Sequence, residues 1–151
     1  MMIYAICSIF LLMWASWIDF KTFILPNWIT LPLIISGLLF NVLIDKNFCP
    51  PIDSLLGIVI GYGLILIVDY VYFQVKKQRG IGQGDAKLLA AIGAILGWQA
   101  IFPILFLASI LGLMFGLVMM KIQHLRFQTP IPFGPFLSVF AILFILAKVI
   151  Y

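Results

Sequence analysis

The sequence contains no glutamate, so its acid chemistry rests on five aspartates, Asp19, Asp45, Asp53, Asp69 and Asp85. Charge of either sign is scarce: 9% of 151 positions are charged and 65% are hydrophobic, against about 25% and about 45–50% in a soluble domain. That balance excludes a water-soluble globular protein. Histidine occurs once, at His124, and Cys7 and Cys49 stand far apart with no CxxC. The usual zinc and haem ligand sets are therefore missing, and no metal or other cofactor is expected. No Ser or Cys has an evident His partner either, which removes the ordinary nucleophilic triad. Connections such as 76–85 and 121–133 run only to about a dozen residues, too few for a soluble domain. The first three apolar runs do not repeat in the last three, which counts against a transporter built from repeats.

What the chain does have is a series of apolar runs, Ile3–Ile18, Trp28–Ile44, Leu55–Val75, Ala86–Trp98, Ile101–Met120 and Gly134–Ile150. Most approach the roughly 17–25 residues that a spanning helix needs. They are apolar on all sides, whereas the strands of a membrane barrel alternate. The fold class expected is all-α: a polytopic membrane protein, one domain over 1–151, with about six transmembrane helices. No Lys or Arg precedes the first run and no small-residue cleavage site follows it, so it reads as a helix and not as a secretory signal.

Seven of the nine basic residues, Lys21, Lys76, Lys77, Arg79, Lys87, Lys121 and Arg126, fall between runs on one side, leaving Lys46 and Lys148 on the other. The positive-inside rule makes the first side cytoplasmic and puts both termini outside. The sequence pI of about 9.2 is then explained by topology and by anionic lipid headgroups, and no nucleic-acid partner is implied. His124, beside Arg126, reads as a surface residue. Cys7 and Cys49 read as two inert thiols near the outer face, with a bridge as the alternative.

Asp19 closes the first run and Asp85 opens the fourth, so this topology brings both acids to the cytoplasmic side. The fourth run, 13 residues from Ala86 to Trp98, would be about 20 Å long, short of a hydrocarbon core of about 30 Å. With Trp98 at the outer headgroups, Asp85 sits below the cytoplasmic surface, a depth at which an ionisable group normally faces a cavity or a partner. Gly80, Gly82 and Gly84 precede it and permit close backbone approach. Ala86, Ala90, Gly93 and Gly97 put small side chains on one helix face. The plainer alternative is an ordinary GxxxG packing motif with Asp85 as N-cap. Asp69 either lines the same cleft or snorkels to the interface, and Lys87 either influences Asp85 or anchors the helix at the headgroups. Asp45 and Asp53 read as solvated, and Pro26, Pro132 and Pro135 as shaping helix starts.

Two like charges a few ångströms apart cannot both ionise easily and tend to share one proton. One carboxylate can then activate water while the other carboxyl protonates a carbonyl oxygen, which is peptide hydrolysis without a metal or covalent intermediate.

At these residues the sequence resembles a known family. GQGDAKLLAAIGAILGW, from Gly82 on, is similar to the GxGD segment of type IV prepilin peptidases. DFKTFILPNWITLPLIISGLLFN, from Asp19 through Pro26, Asn27 and Thr30, is similar to their first-aspartate segment, and IPFGPFL, from Ile131, to the loop before their last helix. The resemblance implies a GxGD aspartic endopeptidase of the bacterial cytoplasmic (inner) membrane, with Asp19 and Asp85 as the catalytic pair. Gly82, Gly84, Lys87, Pro26 and Asp69 are candidates for shaping the site or contacting substrate. It also implies prepilin or pseudopilin precursors as protein substrates, cut at the cytoplasmic face after a short basic leader. Larger members carry an N-terminal region with paired CxxC motifs and many methylate the product. Only 18 residues precede Asp19 here, so N-methyltransferase activity is not expected. Arg79 stands where many relatives have an acid. A preflagellin-type GxGD peptidase and a proton-coupled membrane transporter with Asp19, Asp69 and Asp85 as relays remain as alternatives.

Overall fold

The computed structural model describes residues 1–23, 25–44, 47–77, 82–123 and 132–150. The expectations for Asp45, Lys46, Arg79, Gly80, His124 and Arg126 fall outside these. Six helices account for nearly all of the described chain: α1 (Met2–Thr22), α2 (Asn27–Leu43), α3 (Pro51–Lys76), α4 (Gln83–Leu96), α5 (Trp98–Gln123) and α6 (Gly134–Ile150). α1, α3 and α5 are long and apolar enough to cross a membrane, while α2 and α6 are shorter apolar helices. The protein is a multi-pass membrane protein, as its composition requires. Large apolar side chains such as Val59, Ile67, Phe106 and Leu113 lie exposed on the outside of the bundle, a surface that suits lipid and not water.

Proline sets several helix starts. Pro26 is the N-cap of α2, with φ −72° and ψ 141°, and its carbonyl accepts the Ile29 N–H at 3.2 Å. Pro51 opens α3, and Pro135 is the second residue of α6. The fixed φ of proline and its missing N–H are harmless in a first turn, where that donor has no helical partner anyway.

α4 is the centre. Ala86 and every residue from Leu88 to Leu96 are buried, and α2, α3, α5 and α6 all pack on it, whereas α1 packs only on α2 and α6. A helix buried on every side needs small residues where its neighbours come closest. Gly57 of α3 lies directly against Gly93 of α4, backbone to backbone, and a Cβ at Gly61 would stand 2.7 Å from the Leu89 carbonyl oxygen. Ser54, Gly57, Gly61 and Ile65 are the buried stripe of α3, at spacings of three, four and four that form one helix face.

Gly97 is a correction. It was expected on the small-residue face of the fourth helix, but α4 ends at Leu96, and Gly97 takes φ +86° to turn the chain into α5. A left-handed φ at a helix C-terminus is what glycine permits without a Cβ penalty. Trp98 accordingly starts α5 and does not finish α4.

The last carbonyls of α4 are buried and need donors. Asn41 Nδ2 reaches Ala94 O at 2.9 Å and Ile95 O at 3.0 Å, Ser54 Oγ donates to Ala94 O at 2.5 Å, and the Phe48 N–H donates to Asn41 Oδ1 at 3.0 Å. Cys49 lies in this knot, buried, with a free thiol 3.8 Å from Ile95 O, and Cys7 is an exposed free thiol on α1. Burial pushes the Cys49 thiol up to about 11, so it stays protonated and can donate. Asp53, expected to be merely solvated, instead accepts from Trp98 Nε1 at 3.2 Å and Gln99 Nε2 at 2.9 Å. These bonds tie the first turn of α3 to the first turn of α5. Lys148 Nζ donates to Phe48 O at 2.8 Å and fastens α6 to the same end.

Candidate active site

With the C-terminal end of α4 fixed by this knot, its other end carries Asp85. The N-cap is Gly82, and Asp85 is the third residue of the helix, its N–H donating to Gly82 O at 3.1 Å. Asp85 is therefore not the capping residue, and its half-buried carboxyl is left for other work. An acid in a first turn is favoured by the positive end of the helix.

Asp19 is placed in the opposite sense. α1 runs on to Thr22, past the end expected at Ile18, so Asp19 lies within its last turn, where the helix dipole disfavours an anion. The residue is 5% exposed. A second helix supplies what the first denies: the N–H of Gly134, the first residue of α6, donates to Asp19 Oδ2 at 3.0 Å across 115 residues of chain. A helix N-terminus is a ready site for a carboxylate oxygen. No side chain fits at Gly134, since a Cβ there would lie 2.6 Å from Asp19 Oδ2.

The two acids come from helices that share no close backbone contact, yet the Asp19 carboxyl lies within electrostatic reach of Asp85. Asp19 belongs to the α1–α6 pair and Asp85 to the central helix, and both lie at the end of the bundle opposite the polar knot. Gly84, next to Asp85 in sequence, packs on Leu25, and a Cβ on Gly84 would stand 2.9 Å from the Leu25 Cβ. Gly82 is more open, and its nearest such neighbour is Asp85 Oδ2 at 3.8 Å. Lys87 Nζ donates to Asn27 Oδ1 at 2.7 Å. Pro26 acts on the backbone of α2 as described. Asp69 is half-buried on α3. The antiparallel register that sets Gly57 against Gly93 and Gly61 against Leu89 carries Asp69 toward the start of α4, hence to the acid end. A groove of about 440 Å³ lies between Met13, Ser16, Trp17 and Phe20 of α1 and Pro135, Ser138, Val139 and Ile142 of α6.

Two features of this end escaped a reading of the sequence. The Gly134 amide carries no side-chain signal, and only its place in IPFGPFL marked it. Asn27 stood in the first-aspartate segment without a role, and its partner Lys87 is 60 residues away.

Comparison with known proteins agrees with the geometry. A family model described as the type IV leader peptidase family matches residues 6–117, from α1 well into α5. A prepilin leader peptidase/N-methyltransferase of Aeromonas salmonicida is 39% identical over 124 residues, 82% of this chain and 42% of that protein. The protein of that name from Dickeya chrysanthemi is 40% identical over 122 residues, covering 81% of this chain and 42% of its own length. The one from Escherichia coli is 43% identical over 126 residues, covering 82% and 53%. The chain thus spans about half the length of these relatives or less. No solved structure matches. With the family model covering most of the chain and both aspartates inside it, this protein belongs to the type IV leader peptidase family.

Proposed function

We propose that this chain is an aspartic endopeptidase that removes the leader from type IV prepilins or pseudopilins, with Asp19 and Asp85 as its catalytic pair. The observation that supports this reading is that two acids from distant parts of the chain lie at one end of the bundle, Asp19 held by the N-terminus of α6 and Asp85 in the first turn of α4, within electrostatic reach of each other. One carboxylate takes a proton from water as the oxygen attacks the scissile carbonyl carbon, and the other carboxyl protonates the carbonyl oxygen. Collapse of the tetrahedral intermediate breaks the C–N bond, and the proton goes to the leaving amine. The Gly134 N–H holds one oxygen of Asp19, so that carboxyl is aimed before substrate arrives, and pre-aimed groups are where most of such a rate is found. Gly82, Gly84, Lys87, Pro26 and Asp69 shape the surrounding end of the bundle. The relatives' names favour prepilins over preflagellins, and family membership displaces the transporter alternative. The acid pair supports the peptidase half of those names. The direct test is co-expression with a candidate prepilin and the mass of the product. A product shortened by its leader supports the reading, and an uncut precursor in membranes where a relative cuts it overturns the reading.

Gly134→Ala is expected to lower the cleavage rate by about tenfold to a hundredfold, because the added carbon displaces Asp19 Oδ2 and breaks its bond to the α6 amide. Initial rates in membranes, with protein amount matched, check this. A rate equal to that of the unaltered protein would mean that the amide does not aim Asp19.

The acids also face the cytoplasm on this reading, in the bacterial inner membrane. Lys21, Lys77, Lys87 and Lys121 lie at the acid end of their helices, and Lys148 at the other, as the positive-inside rule asks. In a Cys7→Ser, Cys49→Ser background, a cysteine at Asn47 is expected to react with an impermeant thiol reagent added outside and one at Lys77 to be shielded. The reverse labelling would turn the site to the wrong side of the membrane.

A further inference from the structure

Asp85 and Lys87 are two residues apart on one helix, about 200° around its axis at 100° per residue. If Asp85 faces Asp19, Lys87 points the other way, and the contacts agree: its Nζ donates to Asn27 Oδ1 at 2.7 Å, the first residue of α2. The bond does not stand alone. Leu25, two residues before Asn27, is buried against Gly84 so closely that a Cβ on Gly84 would stand 2.9 Å from the Leu25 Cβ. The start of α2 is thus pinned to the first turn of α4 at two points, one apolar and one polar, on either side of Asp85 in sequence. α1 makes no close backbone contact with α4, whereas it makes such contacts with α2 and α6. The spacing of the two acids is therefore set indirectly, by α6 at Gly134 and by the joint between α2 and α4.

We infer that the Lys87–Asn27 bridge is a positioning device that fixes the distance between Asp19 and Asp85, and that Lys87 acts through Asn27 and not on the substrate. Asn27 is the eighth residue after Asp19, so a shift of the start of α2 relative to α4 is passed directly to the end of α1. The kinetic arm of this inference rests on the proposed peptidase activity; its geometric arm does not.

The test uses Lys87→Met, Asn27→Ala, the double variant, and the swap Asn27→Lys with Lys87→Asn, which restores donor and acceptor in exchanged places. In the kinetic arm each single variant is expected to lose about tenfold to a hundredfold in kcat with KM changed by about twofold or less. The double variant should be no worse than either single, since both remove the same bond, and the swap should recover most of the loss. A Lys87 that touched substrate would give the opposite pattern: a raised KM in Lys87→Met, little effect of Asn27→Ala, and no recovery in the swap. In the geometric arm, spin labels at Lys21 and Gln83, in a background of Cys7→Ser and Cys49→Ser, report the separation of the ends of α1 and α4. A broadened or displaced distance distribution in both single variants, narrowed again by the swap, supports the bridge. An unchanged distribution overturns it, whether or not the chain cuts prepilin. Labelled variants that retain the distance while the unaltered protein cuts nothing would count against the bridge and the peptidase separately.

Discussion

Asp19→Asn and Asp85→Asn are each expected to lower the rate of prepilin cleavage by about a thousandfold or more while leaving the protein folded in the membrane. Asparagine keeps the shape of each side chain but can neither accept a proton from water nor donate one to a carbonyl oxygen, and positioned acid–base groups contribute about 10²–10⁴ in rate. The two losses should not add, because either substitution removes the same joint proton transfer. Folding should survive. Asp85 caps no helix, and the amide nitrogen or oxygen of an asparagine at position 19 still fits beside the α6 N-terminus, where its oxygen can keep the Gly134 N–H. Asp53→Asn serves as the contrast. That residue binds Trp98 and Gln99 at the opposite end of α4, so its replacement should loosen the joint between α3 and α5 with a much smaller effect on the rate. Cleavage of a co-expressed prepilin, followed by the mass of the product, measures all three. Substantial activity in either of the first two variants would remove the acid pair from the mechanism.

The helices were readable because each is apolar on nearly every side, a pattern that lipid requires and water forbids, and the observed bounds follow the apolar runs to within a few residues. That Asp19 and Asp85 lie at the same end of the bundle was readable from topology alone, since two helices, α2 and α3, separate the end of α1 from the start of α4. The contacts that hold this arrangement were not. Asn41 looked like one polar residue at the end of an apolar run, and nothing local tells that its amide reaches across to the buried carbonyls of Ala94 and Ile95. Asp53 looked solvated because, with Asp45, it flanks Cys49 in the connection between the second and third runs, yet the turn at Gly97 brings Trp98 and Gln99 back onto it. Gly97 itself was misplaced because a glycine four residues after Gly93 fits a packing face as well as it fits a helix terminus. The two readings differ in φ, which a single sequence does not display. The Gly134 amide is the plainest case: a backbone donor has no residue type, and its meeting with Asp19 depends on how α1 and α6 pack.

The other large expected effect concerns the contact between α3 and α4 and turns on three glycines of one helix. Gly57→Ala should be strongly destabilising, because the added carbon has no space between the Gly57 and Gly93 backbones and neither helix can yield without moving the other. Overpacking commonly costs about 1–3 kcal/mol when side chains can shift, and here the obstacle is backbone, so the upper end or beyond is expected. Gly61→Ala meets the Leu89 carbonyl oxygen at 2.7 Å and should behave similarly. Gly63→Ala has nothing within 4 Å of its new carbon, faces the outside of the bundle, and should stabilise α3 by up to about 1 kcal/mol, since alanine loses less freedom than glycine in a helix. The same substitution two residues apart thus has opposite signs. Helix propensity alone would make all three stabilising, and general sensitivity of α3 would make all three harmful. Thermal unfolding of the purified variants in one detergent decides between these, read alongside cleavage rates. As α3 is driven from α4 the start of α4 moves with it, so Gly57→Ala and Gly61→Ala should lose activity at temperatures where they are still folded, while Gly63→Ala keeps it. Equal midpoints for the three variants would mean that the backbones of α3 and α4 do not meet as described.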